Sequence, residues 1–195
     1  MKSVPMILTI FVSLAGAQGP VWADPVTYAI DNDHTHIVWQ VDRFGFTNTV
    51  GTFVDVTGAL TFDPQAPENS EVHATIALAG LRSDLEERED IVRGSHWLDA
   101  ASHPEIGFRS SRVADGADCE CLIVTGDMTL KGATHPIELQ VTVNKTGTDP
   151  VTRRAAAGFS ARGSFQRSRF GLTTAVGPIG DTVSFEIQAL AIEAD

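Results

Sequence analysis

The chain has 195 residues, 43% hydrophobic and 20% charged, with 17 Gly, 9 Pro and 2 Cys. Hydrophobic content this high beside so little charge argues against intrinsic disorder, and two cysteines cannot build the dense disulfide framework of a small secreted scaffold, so one folded domain is the default. The formal net charge of −11 opposes a phosphate backbone and no Lys/Arg cluster with interleaved aromatics occurs, which argues against nucleic-acid binding.

At the N-terminus, Lys2 precedes an apolar stretch from Met6 to Ala15, and small residues lead on to Val21, Trp22 and Ala23. A basic start, a short apolar core and a small residue at the cleavage point predict a secretory signal peptide over residues 1–23, cut after Ala23. The apolar run falls short of the roughly 20 residues that a spanning helix needs. Removing it would take away Lys2 and no acid, moving the balance from −11 to −12. A single acidic domain over residues 24–195, outside the cytoplasm, is the expectation.

From Tyr28 onward apolar residues alternate at period two, which predicts strands rather than long helices. Ile37, Trp39 and Val41 begin the pattern; Leu60 with Phe62, and Val72, Ala74, Ile76 and Leu78, continue it. Ile106 with Phe108 follow, then Ile137, Leu139, Val141 and Val143, then Ala155, Ala157, Phe159, Ala161 and Phe165, and finally Val183, Phe185 and Ile187. Turn chemistry separates the runs at Asp63-Pro64, Pro67-Glu68-Asn69, Asp115-Gly116, Lys131-Gly132 and Asp149-Pro150.

The segment from Ser83 to Gly94 departs from alternation and predicts one short helix. Ser83 suits an N-cap, Asp84, Glu86 and Glu87 suit the positive end of the dipole, and Arg93 with Gly94 suit its C-terminus. Leu85 and Val92 share one face, widened by Ile91, so the helix fits across a barrel mouth or against its wall. Glu86, Glu87, Glu89 and Asp90 read as a solvated face with Arg88 and Arg93 as local partners.

About eight amphipathic strands predict an all-β fold, an eight-stranded antiparallel barrel, since closure removes both sheet edges; a two-sheet sandwich is the alternative. Periodicity does not separate a packed interior from one that holds a ligand. The small inner row Ala155, Ala157, Ala161 and Gly163 would leave room for a guest if large residues opposite do not fill it.

Polar clusters offer weaker chemistry. His34 and His36 would face one way on a strand near Asp31 and Asp33, but His73, His96, His103 and His135 are scattered, so no metal site is expected. Ser83, Ser95, Ser110, Ser111 and Ser168 lie in no Gly-x-Ser-x-Gly context, and nothing marks a nucleophile. Cys119 and Cys121 could close on each other, stay free or join another chain; on an extended strand they would stand about 6.5 to 7 Å apart, so closure needs a bend.

Several fragments stand in a recognisable order: Tyr28-Ala-Ile-Asp31, His34-Thr35, Gly51-Thr-Phe53 and Gly58-Ala-Leu-Thr-Phe62. Arg88 to Asp99, Pro104-Glu-Ile-Gly-Phe108, Gly126-Asp-Met-Thr-Leu130, Arg167-Ser-Arg-Phe-Gly171 and Gly180-Asp-Thr-Val183 extend the series across the predicted domain. On these residues the chain resembles the YceI family. The resemblance implies an extended lipocalin-like barrel in the bacterial periplasm, whose apolar channel holds a polyisoprenoid such as an isoprenoid quinone. Here Glu89, Ile91 and Gly94 replace the family's usual Asp, His and Ser, and His96-Trp97-Leu98 replaces its Asp-Phe-Phe.

The function expected is therefore non-enzymatic binding, transport or storage of an isoprenoid lipid, with no cofactor besides that ligand. Ten buried carbons of tail would contribute roughly 8 kcal/mol gross, close to the free energy of micromolar binding before the tail's ordering is subtracted. Candidate lining residues are Trp39, Val41, Phe53, Phe62, Ile76, Phe108, Met128, Leu139, Phe159 and Phe185, with Leu85, Val92 and Trp97 at the mouth. Transient contact with a membrane or a membrane quinone protein, and a homodimer, are partners open to such a carrier. The alternatives are an enzyme acting on an isoprenoid or fatty ester through His34 or His96, and a redox module using Cys119 and Cys121.

Overall fold

In the computed structural model, described for residues 26–194, eleven strand segments form one sheet that closes on itself. They are β1 (Val26–Ile30), β2 (His36–Arg43), β3 (Thr47–Phe53), β4 (Val56–Phe62), β5 (Glu71–Ala77), β6 (Leu81–Arg82), β7 (Glu105–Asp115), β8 (Leu122–Leu130), β9 (Ala133–Thr148), β10 (Ala155–Gln166) and β11 (Ile179–Glu193). The predicted leader and its cleavage point after Ala23 lie outside the described residues.

The eleven segments make an eight-stranded antiparallel barrel, because three strands are each broken in two. β1 and β2 run as one strand against β11 on one side and against β4 and β3 on the other, while β5 and β6 continue each other along β4 and β3. From β5 onward every strand pairs with the next, β5–β7–β8–β9–β10–β11. The last strand meets the first, so the sheet closes and the short β6 and the adjoining part of β3 are left without a second neighbour, which reduces the aggregation hazard of an open sheet.

The three breaks are adjacent across the wall and are stitched together. The Asn32 side chain accepts from Val56 N (2.7 Å), Val54 N donates to the Gly80 carbonyl (3.2 Å), and Ala77 N donates to the Asp55 carbonyl (2.9 Å). Asp31 accepts from Asp33 N at the first break, and buried Thr35 exchanges hydrogen bonds with the Leu190 backbone. Backbone groups freed by each kink thus find partners locally, as buried polar groups require.

Strand direction assigns the connections to two ends. One end carries the β2–β3 hairpin, the segment 83–104 with the helix α1 (Glu86–Arg93), the β8–β9 turn and the segment 167–178; the other carries 63–70, 116–121 and 149–154. The largest buried cluster, with Leu78, Leu81, Leu98, Leu130, Phe170 and Leu172, sits toward the helix end. A second cluster of Tyr28, Phe62, Ala157 and Ala191 closes in toward the other.

Candidate functional site

The barrel encloses a channel of about 490 Å³, within the range of small-molecule sites. Alternation supplies its wall: Ile37, Trp39 and Val41 from β2, Phe53 from β3, Leu60 and Phe62 from β4, and Val72, Ala74 and Ile76 from β5 all face it. Phe108, Met128, Leu139, Phe159 and Phe185 bring in β7 to β11. Polar residues around it are few: Arg43, Thr49, Arg88 and Arg167 at the helix end, Ser70 and Glu71 at the other, and Thr35 at the kink between β1 and β2.

How large rings line a wall without filling the space is settled by three glycines. A Cβ on Gly51 would come within 2.3 Å of Trp39 Cζ2, one on Gly126 within 2.4 Å of Phe108 Cζ, and one on Gly163 within 2.7 Å of Phe185 Cζ. Each ring therefore lies along the sheet, over the bare backbone of a neighbouring strand. Large residues opposite thus fill part of the small inner row. Gly163 is covered by Phe185 and Ala157 is fully buried, so within that row Ala161 is what remains facing the channel. The Trp39 indole N–H is buried with no hydrogen-bond partner.

At the mouth, α1 brings Arg88, Ile91 and Val92 to the channel, and Trp97 and Leu98 follow it there. Leu85 does not join them. The helix begins at Glu86, Leu85 is an extended residue before the first turn, and its side chain is 48% exposed away from the channel. Ser83 is correspondingly not the N-cap; its hydroxyl accepts from Leu85 N, while Ser83 N donates to Glu89 Oε1 at 2.6 Å.

Glu89 also corrects the picture of a uniformly solvated acidic face. The Ser83 N–H, and then the Arg93 guanidinium at 3.1 Å, hold its carboxyl below the usual carboxylate range. Arg93 reaches on to the carbonyls of Leu78 and Leu81, which fastens α1 to the wall. Arg88, read from sequence as a local ion-pair partner, instead borders the channel.

A buried arginine went unrecognised in the sequence. Arg167 is 2% exposed, and its guanidinium donates to the carbonyls of Leu172 (2.6 Å), Thr174 (2.9 Å), Ile179 (3.0 Å) and Gly180 (2.8 Å) while lying over the Trp97 ring. One side chain thus folds the segment 171–180 over the barrel end. Ser168 joins this device by donating from N and Oγ to Asp181, whose carboxyl is held low by those two bonds and by Arg167. Burial in turn lowers the Arg167 pKa from its ordinary value. The fragments Arg167–Gly171 and Gly180–Val183, separate in the chain, are one site in space.

The remaining polar candidates lie elsewhere. His34 and His96 are absent from the channel wall; His34 Nδ1 pairs with Asp31 Oδ2 at 2.9 Å on the outside, and that bond raises its pKa. Among the described residues no three His, Cys, Asp or Glu side chains converge as a metal site requires. Cys119 and Cys121 are joined to each other in the β7–β8 turn, where the bend brings their Cα atoms to 5.2 Å.

Comparison with known proteins finds the same fold and related sequences. A family model described as the YceI-like domain matches residues 28–191. A UPF0312 protein of Pectobacterium carotovorum subsp. carotovorum is 30% identical over 90% of both chains. Protein YceI of Escherichia coli O17:K52:H18 is 31% identical over 99% of each. Among solved structures, BcnA of Burkholderia cenocepacia aligns with a TM-score of 0.73 at 24% identity, covering 83% of this chain and 98% of its own. A polyisoprenoid binding domain from Saccharophagus degradans aligns with a TM-score of 0.62 at 12% identity, covering 87% and 99%. At those identities the structural likenesses speak for the fold.

Proposed function

The chain belongs to the YceI-like family, and from that premise and the form of its interior we propose that it is a non-enzymatic binding protein for an isoprenoid lipid, either a polyprenyl chain or an isoprenoid quinone. The observation that carries this reading is the channel itself, about 490 Å³ and walled by apolar side chains, with arginines gathered at one end. An unbranched polar ligand would find no partners along such a wall, whereas a hydrocarbon tail needs none. The structural likeness to a polyisoprenoid binding domain supports the same ligand class.

In this reading Arg43 and Arg88 at the helix end meet the polar head, and the rings of Trp39, Phe53, Phe108 and Phe185 meet the tail. The protein carries the lipid between membranes or stores it, in the periplasm to which the leader sequence would deliver it. Mass spectrometry of an organic extract tests the proposal, using protein expressed with residues 1–23 and a mock purification as control. A stoichiometric isoprenoid is expected. Protein that is empty, and stays empty after incubation with isoprenoid quinones, would sink it.

A further inference from the structure

Of the exposed large hydrophobic residues, Val151 stands at the far end, 85% exposed, while Phe44, Phe46, Leu85, Ile91 and Val176 gather at the helix end. Phe44 is 52% exposed and Phe46 90%, both at the tip of the β2–β3 hairpin. Val176 is exposed on the segment that the hairpin touches, where Phe44 N donates to the Pro178 carbonyl at 2.7 Å. Ile91 on α1 is exposed at the same end of the barrel, beside the channel mouth that it also lines.

The tip holds Phe44 against the ordinary preference of its backbone. Phe46 N donates to the Arg43 carbonyl, and Phe44 and Gly45 both have positive φ, +58° and +71°, the geometry of a type I′ turn. Asn or Gly favours the first of those positions and a bulky residue is disfavoured there. Phe44 is stacked by Arg43 rather than buried in the fold, so packing does not explain it.

The apolar tip is also the part of the helix end that is poorest in charge. Segments 43–50 and 171–179 contain a single charged residue, Arg43, whereas the turns at the opposite end carry Asp63, Glu68, Asp115, Asp118, Glu120 and Asp149 against Arg153 and Arg154. The helix end also carries acids, Asp84, Glu86, Glu87, Glu89, Asp90 and Asp99, all on segment 83–104, of which Glu89 and Asp90 pair with Arg93. A surface of phosphate headgroups would repel the far end and accept the hairpin tip.

We infer that the rim formed by Phe44, Phe46, Val176 and Ile91 docks on a lipid bilayer, with the aromatic tip in the interfacial layer and the channel mouth facing the membrane. The inference deepens the reading of the channel as a lipid site and rests on it for why the two surfaces should meet: a tail could pass between bilayer and channel without crossing water. A patch of this kind on a soluble surface marks an interaction site, and its continuity with the mouth selects the bilayer as occupant.

The test is flotation of the purified protein with phosphatidylethanolamine–phosphatidylglycerol vesicles, comparing Phe46→Ser and Phe44→Asn, with extractable isoprenoid measured on the same samples. Each variant is expected to lower partitioning by about tenfold, while Phe44→Asn, which suits the turn, leaves melting temperature unchanged or higher. Flotation indifferent to both substitutions would overturn the docking. So would a dimer that dissociates in Phe46→Ser while the wild type ignores vesicles, since the rim would then join two copies. Isoprenoid in the channel of a protein that does not float overturns docking alone. An empty channel in a protein that floats through its phenylalanines supports docking and instead sinks the lipid-carrier reading.

Discussion

Trp39 stands directly opposite Gly51 in the β2–β3 register, and its indole occupies the space that a Cβ on residue 51 would need. Phe185 has the same relation to Gly163, its register partner, and Phe108 lies over Gly126. A large ring normally fills a barrel of eight strands. Laid over glycine it becomes part of the wall, and three such pairs keep the channel open while making it apolar.

Gly51→Ala is therefore expected to push the indole into the channel. The added methyl would meet Trp39 Cζ2 and Cε2 well inside van der Waals contact, with the Arg82 carbonyl at 3.0 Å behind it. Overpacking of this kind destabilises by about 1–3 kcal/mol, read as a fall in the denaturation midpoint, and bound lipid should fall with it. Trp39→Phe in the same background should restore much of both, because it shortens the ring and deletes a buried donor that has no partner. Additive losses in the double variant would mean that the two residues are not coupled as the geometry requires.

The barrel was legible because each strand has one wet and one apolar face, and Ile37, Trp39 and Val41 or Val183, Phe185 and Ile187 carry that contrast openly. Its irregularities were not. β7 faces Phe108 inward and then Val113, an odd step made possible by the bulge at Ser110–Arg112, where the register shifts. The kinks at 31–35, 54–55 and 78–80 rest on hydrogen bonds between distant residues, such as Asn32 to Val56, that no local pattern announces. The role of Arg167 is not legible in sequence because a cation at a strand end ordinarily lies on the surface, and its four acceptors are backbone carbonyls without sequence identity. The fragment Arg167–Gly171 was the available signal. Leu85 leaves the helical face because the helix starts two residues later than the Ser83 cap predicts, with Leu85 itself at the N-cap.

Arg167→Met should destabilise the protein by about 3 kcal/mol or more, since it leaves several carbonyls at the barrel end without donors. Arg167→Lys should recover little of this, because one ammonium cannot reach carbonyls spread over the planar fork. Hydrogen exchange localises the effect: amides in 171–180 should lose protection before those of β7 and β8. Uniform loss around the barrel would show that Arg167 does not act through this segment.

Acid should act on the same end. The carboxyl of Asp181 is held low by the Ser168 hydroxyl and N–H and by Arg167. A group whose folded pKa lies below its unfolded value of about 3.9 contributes stability that is fully present above that value and is lost as pH falls through the folded one. Glu89 behaves alike through Ser83 and Arg93. Asp181→Asn should thus lower stability at neutral pH and flatten the fall of stability with acidification, measured by urea denaturation across the acid range. Parallel curves for variant and wild type would contradict the assignment. His34 carries the opposite sign: raised by Asp31, its contribution is complete below about 6.5 and disappears as pH rises through the higher folded value.

Ala161 gives the most direct control over the channel. It lies between Val141 and Ile187 in register and lines the channel. Ala161→Phe places a ring into space that the fold leaves vacant, so its effect on stability should be small or favourable, unlike the same change in a filled core. The ring would narrow the route along which a tail lies. Extractable isoprenoid should then fall steeply while the melting temperature and vesicle flotation hold, since the hairpin tip at Phe44 and Phe46 is untouched. A variant that keeps its lipid would mean the tail runs along another part of the wall. One that unfolds would mean the interior is closed at Ala161, and the channel as described would be wrong.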